Sequence, residues 1–358
     1  MGVDKIKFYR DKPLFGLDIG HASLKAMQIR RTPGQQPAVL GYGNSQFAPE
    51  AIQNGEIVKP QIIAEAVHQL FEKGLVGSIT SRRVACSLPT PHTFSRPMKV
   101  PPMEHDEIRE AIQLEAEQYI PMPINSLYLD YEISHQDAQG IELLLVAAPR
   151  KIVDSYLNLL QSLNLEPLVF EPSISSASRL INLVGDSGAE PSILIDIGAV
   201  TSDIAIYDKT LLVASTVNAG GDNITNQIAR EFHMSYAQAA ELKNQYGISY
   251  SDKQQRIVEA VKPQLDILVR EVQKSIRYYS ERATQSGKKI AHAITVGGGA
   301  VMPGFNHYLS KELRLPTQSL DPWQTISFGN LAMPAEADRS MYVTVAGEAI
   351  LDPAEVTQ

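Results

Sequence analysis

The sequence predicts an α/β protein of two lobes built from a duplicated strand-hairpin unit, with a small α+β subdomain inserted into the first lobe. Three observations predict it. The segment LDIGHASLKAMQI from Leu17 aligns without a gap on IDIGAVTSDIAIY from Ile195, so one unit occurs twice. Pro89, Pro91, Pro97, Pro101 and Pro102 interrupt the first half and lead into a separate helix-and-strand pattern. At 358 residues, 44% hydrophobic and 20% charged, the chain exceeds what one hydrophobic core usually serves.

The elements follow from periodicity. Leu14 to Ile29 reads as two strands joined at Gly20 and His21, Ala38 to Phe47 as a third, and Pro60 to Lys73 as a helix. Arg83 to Leu88 is a further short strand. Past the prolines, Glu104 to Ile120 is helical, with Ile108, Ala111, Ile112, Ala116, Tyr119 and Ile120 on one face and Glu107, Glu110 and Glu117 largely off it, until Pro121 ends it. Strands at Leu127 to Ser134 and Ile141 to Ala147 and a helix from Lys151 to Leu163 complete the insertion, which returns to the main body near Pro167.

The second copy begins with strands Ile193 to Ile197, Asp203 to Asp208 and Leu211 to Asn218. Helices follow at Asn223 to Phe232, Tyr236 to Gln245 and Lys253 to Arg282, the last kinked or started by Pro263. A strand from Ala291 to Val296 runs into Gly297-Gly298-Gly299, then a helix to about Leu313, and Val343 to Leu351 is a final small-residue helix.

The duplicated hairpin carries the chemistry. Glycine at each turn, Gly20 and Gly198, lets the hairpin bend tightly and turn backbone N–H groups toward an anion, which a polyphosphate needs when no P-loop lysine motif is present. Asp18 and Asp196 end the first strand of each copy and would sit beside the phosphates, where a carboxylate is tolerable with Mg²⁺ or its waters between them. Two facing hairpins then clamp one Mg²⁺-nucleotide. Gly220-Gly221-Asp222 follows a strand and opens a helix, offering amides at a helix N-terminus or simply an αL turn with an Asp cap. The run Gly297 to Gly299 lets the backbone lie flat against a base or ribose. Glu241 and Lys243, on a polar helix between these elements, read either as ribose or adenine contacts or as a solvated charged pair.

Other classes are excluded or disfavoured. A net charge of -8 without a dense Lys/Arg run gives no electrostatic support for a nucleic-acid groove or an anionic-lipid patch. Cys86 is the only cysteine, so no intrachain disulfide forms, and the 8 histidines lack metal-ligand spacing. The N-terminal residues lack a secretory h-region, no stretch is apolar over the length of a membrane span, and the last residues are not amphipathic. The cytoplasm is therefore the expected compartment, with any membrane connection made through a partner.

Taken together, the motifs at Asp18 to Lys25, Asp196 to Asp203 and Val296 to Ala300 resemble the two phosphate motifs and the adenosine motif of the actin and heat-shock chaperone ATPase superfamily. The resemblance covers nearly the whole chain and implies an actin-like ATPase fold of duplicated ribonuclease-H-like domains holding ATP and Mg²⁺ between the lobes. Lobe I (1A) is then 14–89 with 166–190 and 335–358, the inserted subdomain (1C) 90–165, lobe II (2A) 191–225 with 291–334, and a helical subdomain (2B) 226–290. Phe170-Glu171-Pro172-Ser173 resembles the first interlobe connector of the chaperone branch, whose Glu helps orient attacking water, and Val343 to Ile350 the second. Glu171 is thereby the hydrolytic candidate, and Thr201 and Asp203 fall where that branch places a phosphate-contacting hydroxyl and a second carboxylate.

Within the superfamily, the E-x-x-E-A-I-x-x-E-A-E-x-Y-I-P-x-P string from Glu107 to Pro123 and AAPRKIVDSYLNLL from Ala147 resemble the PilM family of type IV pilus assembly, related to the division protein FtsA. That likeness implies an ATP-binding scaffold at the inner face of the cytoplasmic membrane, docking the cytoplasmic N-terminal peptide of the single-span protein PilN on the insertion from about Thr90 to Leu165. Other platform proteins and self-association are further expected partners. A filament-forming FtsA-like tether and a sugar-kinase-type phosphotransferase on the same fold are the alternatives. His21 and Ala22 stand where relatives commonly supply small hydroxyl residues, leaving Ser23 and Lys25 as side-chain phosphate contacts, so binding is supported more strongly than turnover.

Overall fold

The computed structural model describes residues 13–184, 190–251, 253–282 and 288–352. Expectations about both ends of the chain, including the polar tail, fall on 1–12 and 353–358 and lie outside the described residues.

The first lobe opens with β1 (Phe15–Ile19), β2 (Ser23–Arg30) and β3 (Ala38–Gln46), an antiparallel meander whose first turn is closed by the Gly20 amide donating to the Ser23 carbonyl at 2.9 Å. A two-strand hairpin, β4 (Ile52–Gln53) with β5 (Glu56–Ile57), leads to α1 (Pro60–Gln69) and edge strand β6 (Leu75–Gly77). The helix expected to reach Lys73 changes to a single π turn over Leu70–Gly74, where Gly74 and β6 approach β3. Strand β7 (Arg83–Leu88) pairs parallel with β1.

The insertion follows as β8 (Phe94–Val100), α2 (His105–Tyr119), β9 (Leu127–Asp137) and β10 (Gly140–Pro149). Its three-stranded sheet has the order β8-β10-β9. The Pro-rich run thus contains a strand that proline counting missed. Pro97 is tolerated because β8 lies at the sheet edge, where a missing N–H need not break an inner ladder. Ile108, Ile112 and Ala116 of α2 bury against Leu143, Leu145 and Ala147 of β10. The apolar stripe of that helix is therefore consumed by the insertion's own core, while Tyr119, expected on it, is 52% exposed with the Arg96 guanidinium 3.3 Å from its ring centre.

The chain returns through α3 (Arg150–Ser162), β11 (Glu166–Pro172) and α4 (Ser173–Arg179). Helix α3, which the sequence reading assigned to the insertion, packs Ile152, Tyr156, Leu159 and Leu160 with Phe15, Leu17 and Val84 of the first sheet. Strand β11 was also missed in the sequence, its Pro167 and Pro172 being compatible with an edge position beside β7.

The second lobe consists of β12 (Ser192–Ile197), β13 (Ser202–Asp208), β14 (Thr210–Val217), α5 (Gly221–Phe232), α6 (Tyr236–Tyr246), α7 (Gln254–Arg282), β15 (His292–Val296), α8 (Phe305–Leu313) and β16 (Thr317–Ser319). Helix α7 runs through Pro263 instead of starting at it. The two large sheets share one plan. Strands β3-β2-β1-β7-β11 in the first correspond to β14-β13-β12-β15-β16 in the second, each an antiparallel hairpin meander extended by two parallel strands. The duplication read from two 13-residue segments is thus a duplication of whole sheets.

Helices α4 and α9 (Val343–Ala349) lie between the sheets and join the lobes in one core. Met27 and Val39 from the first sheet, Leu194 and Ile294 from the second, and Ile174 and Val345 from the helices belong to the same buried cluster. Leu144 of the insertion joins it, and β8 lies against β14. The helices touch through Gly347, where a Cβ would overlap the Ser176 carbonyl. Gly347→Ala is therefore expected to lower stability by about 1–3 kcal/mol, the usual result of overpacking a core contact. Urea denaturation checks this; a loss under about 0.5 kcal/mol, ordinary for a surface change, would show that the helix pair can separate freely.

Candidate functional site

Each duplicated hairpin delivers one strand-end Asp to the gap between the lobes. In the first, Asp18 stands opposite Lys25 across the β1–β2 ladder; in the second, Asp196 stands opposite Asp203 across β12–β13. Equivalent ladder positions thus hold a cation in one copy and a carboxylate in the other. Lys25 Nζ donates to Asp18 Oδ2 at 3.0 Å, with both side chains largely buried, and Ser87 Oγ donates to Asp18 Oδ1 at 3.0 Å. Asp203 is 7% exposed and accepts from the Thr216 hydroxyl of β14 and from the Thr90 hydroxyl, which belongs to the first lobe.

These groups line one cavity of about 770 Å³. Of the predicted site residues, it gathers Asp18, Gly20, Ser23, Lys25, Asp196, Gly198, Thr201, Asp203, Gly221, Asp222, Lys243 and Gly297 to Gly299. Burial is the main cause that lifts the Asp196 carboxyl from the ordinary 3.8 to about 7, with the neighbouring Asp203 and Asp18 adding to the rise and Lys25 opposing it. Burial likewise raises Asp203 to about 6, moderated by its bonds from Thr216 and Thr90. Gly297 adopts φ +87, and a Cβ there would strike Asp196 Oδ1, so glycine is what lets the third motif close onto the second.

Three expected contributions lie elsewhere. Glu171 does not line the cavity: its carboxylate accepts from both terminal nitrogens of Arg179, with an N–O distance of 2.7 Å, and from Ser176 Oγ at 2.8 Å. Because α4 begins directly after β11, the Glu171 carboxylate meets Ser176 and Arg179 of that following helix and not the cleft. Glu241 is exposed on α6 outside the lining, whereas Lys243, on the other side of that helix, donates to the Gly221 carbonyl at 3.2 Å. Gly220 is the extended N-cap of α5 and is also absent from the lining.

The backbone donors differ from expectation too. The amides of Gly220, Gly221 and Asp222 donate to the carbonyls of Val200, Gly198 and Ala199 at 3.0, 2.9 and 2.7 Å, tying the start of α5 to the second hairpin turn. They shape that turn instead of standing open to an anion. The Gly20 and Gly198 amides close their own hairpins on Ser23 and Thr201. Sequence reading missed Thr90, Ser87, Ser173 and Tyr236, all on the cavity wall. Ser87 precedes the proline run and Thr90 lies within it, between Pro89 and Pro91, and a lone hydroxyl carries no spacing signal.

The raised acids set a pH dependence. In the unfolded chain both carboxylates titrate near 3.8, so between about pH 4 and pH 7 the folded protein holds protons that the unfolded one has lost, and stability falls as pH rises. Asp196→Asn should flatten that fall and exceed wild-type stability by about 1–3 kcal/mol at pH 8 in nucleotide-free, metal-chelated protein. Denaturant titrations at pH 4.5, 6 and 8, chosen about those raised values, check it; an unchanged slope would place the proton elsewhere.

A family model described as type IV pilus assembly protein PilM matches residues 16–351. The structure is similar to that of a PilM–PilN type IV pilus biogenesis complex, at 23% identity with a TM-score of 0.80, covering 95% of this chain and 98% of that one. It is also similar to the ethanolamine utilization protein EutJ from Carboxydothermus hydrogenoformans (15% identity, TM-score 0.55, 95% and 91% covered). MreB5 of Spiroplasma citri bound to AMPPNP matches at 14% identity and TM-score 0.51, with 94% and 95% covered. These likenesses establish the actin-like ATPase fold. With the family model spanning nearly the whole chain, the chain belongs to the type IV pilus assembly protein PilM family.

Proposed function

We propose that the protein is an ATP-binding scaffold of the type IV pilus inner-membrane platform, holding Mg²⁺-ATP between its two hairpins and docking the cytoplasmic N-terminal peptide of PilN. The observation that carries the nucleotide part is the convergence of both Asp-Ile-Gly hairpins and Gly297 to Gly299 on one cavity. Among the described residues no group of three or more His, Cys, Asp or Glu side chains converges as a metal site. That fits Mg²⁺, which takes one or two carboxylates and fills its remaining positions with waters and phosphate oxygens. Asp18 and Asp196 would hold it, and when bound it offsets the negative charge shared by phosphates and carboxylates. Ser23 and Lys25 on one hairpin and Thr201 on the other are the side-chain contacts for the phosphates, and Lys25 would exchange part of its pairing with Asp18 for them.

The carboxylate geometry supports binding over turnover. Asp203 would be the remaining acid near the phosphates, while Glu171, engaged by Arg179, does not reach the cavity. Hydrolysis well below about 10 per second, a typical enzyme turnover, is expected, and faster turnover by purified protein would contradict the scaffold reading. Isothermal titration tests the site itself: Asp196→Ala should weaken Mg²⁺-ATP binding about tenfold or more, as loss of a charged contact does, and equal affinity would remove the site.

The PilN part rests on family membership and on the PilM–PilN complex among the similar structures. Among the described residues no helix is long and apolar enough to cross a membrane, so a single-span partner supplies the tether on this reading, with the protein on the cytoplasmic side. Since the apolar stripe of α2 is buried in the insertion's core, its exposed acids Glu110 and Glu117 are the part left for a basic peptide rim. Reversing both to Lys should weaken binding of the PilN peptide several-fold and reduce its salt sensitivity; unchanged affinity would move the dock off this helix.

A further inference from the structure

Tyr236 is the first residue of α6 and lies on the cavity wall, yet it is 48% exposed. Its hydroxyl donates to Asp222 Oδ1 at 2.6 Å, and the Thr225 side chain provides a second polar contact. The ring is thus tied at its polar end while its body faces the open cleft. Among the described residues no aromatic ring or cation is stacked on it, in contrast to Tyr246, which has Lys253 Nζ 4.9 Å from its ring centre. An aromatic ring fixed by its hydroxyl and left uncovered in a concave wall is a surface awaiting a flat partner.

Its neighbours locate it beside the start of α5 and the glycine turn. Asp222 follows Gly221, whose Cβ position lies 3.4 Å from Lys243 Nζ and 4.0 Å from the Gly299 Cα. Tyr236, Lys243 and the triple-glycine turn therefore share the second-lobe wall of the cavity. Gly298 has open space where a side chain would project.

We infer that Tyr236 is a shelf for the base of the bound nucleotide, stacking on it across from the glycine turn and giving the site its preference for a base-bearing triphosphate over bare polyphosphate. The inference rests on the nucleotide reading above. Base–aromatic stacking is tolerant of base identity because every base has a π face, so the shelf contributes affinity for the base without selecting adenine by itself.

The test measures Mg²⁺-ATP and Mg²⁺-tripolyphosphate binding by isothermal titration for wild type, Tyr236→Phe and Tyr236→Ala. Phe keeps the ring and loses only the hydroxyl, so it should stay within about twofold to threefold of wild type for both ligands. Ala should lose about tenfold or more for ATP with tripolyphosphate affinity unchanged. Wild-type ATP affinity in the Ala variant overturns the inference and leaves the nucleotide site standing, as does an equal loss for both ligands, which would mark Tyr236 as a support for the wall. Failure of wild type to bind Mg²⁺-ATP overturns the nucleotide reading and this inference together.

Discussion

The arrangement of this protein turns on three carboxylates brought into one partly enclosed cleft by two hairpins in register. Asp18, Asp196 and Asp203 arrive from backbones that have no freedom to retreat, because each sits in a ladder position of a central strand pair. One copy of the duplicated unit neutralises its Asp with Lys25; the other places Asp203 at the equivalent position. Burial disfavours the charged form of both acids of the second hairpin, and at Asp196 the neighbouring Asp203 and Asp18 add to it, so protons gather there, with Asp196 raised to about 7 and Asp203 to about 6. A divalent cation would relieve the same strain by other means. The asymmetry between two otherwise matching hairpins is what turns a structural duplication into a site.

The cleft keeps its shape because the lobes share a core instead of meeting at a polar seam. Buried residues from both sheets pack on α4 and α9, and Gly347 lets those helices approach to backbone contact. On the other side, Asp203 of the second lobe is bonded by Thr90 of the first, and Thr90 also meets the Ser173 hydroxyl at 2.9 Å and accepts from the Ile174 amide. One threonine thus touches the acid in the cleft and the start of the connecting helix. Thr90 stands at the root of the insertion, and β8 of that insertion lies on β14, whose Thr216 bonds the same Asp203. Contacts from the insertion's root and from its sheet partner therefore converge on a single carboxylate.

Much of this was legible in the residues. The gapless match between Leu17 and Ile195 segments located both hairpins, and helical spacing located α2, α5, α6 and α7 to within a few residues. What was illegible has specific causes. Strands β8 and β11 carry prolines, and a proline rule applied along the sequence cannot know that a strand will lie at an edge. The amides at Gly220 to Asp222 looked available because sequence order hides the carbonyls of Gly198 to Val200 that fold onto them. Glu171 and Glu241 were placed by motif and helix position, and the direction of the side chain, at a strand-to-helix corner for Glu171 and on the exposed face of α6 for Glu241, took each away from the cleft.

The position of Glu171 bears on what kind of machine this is. A carboxylate that activates water has to present an unshared lone pair toward the reacting phosphate. Here both oxygens accept from one guanidinium, and Arg179 also donates to the Gly347 carbonyl at 2.7 Å, so the pair serves as a clasp between the two connecting helices. Freeing Glu171 for chemistry would leave Arg179 without its partner where it is largely enclosed, and a stranded, partly buried charge is unfavourable. Glu348, the residue after Gly347 on α9 and fully buried, has its carboxyl raised well above the usual carboxylate range, chiefly by burial and then by the charge of Asp18. The same residues that join the lobes thus hold Glu171 away from the cavity, and on the proposed reading nucleotide binding serves chiefly to order the cleft and the insertion rooted beside it.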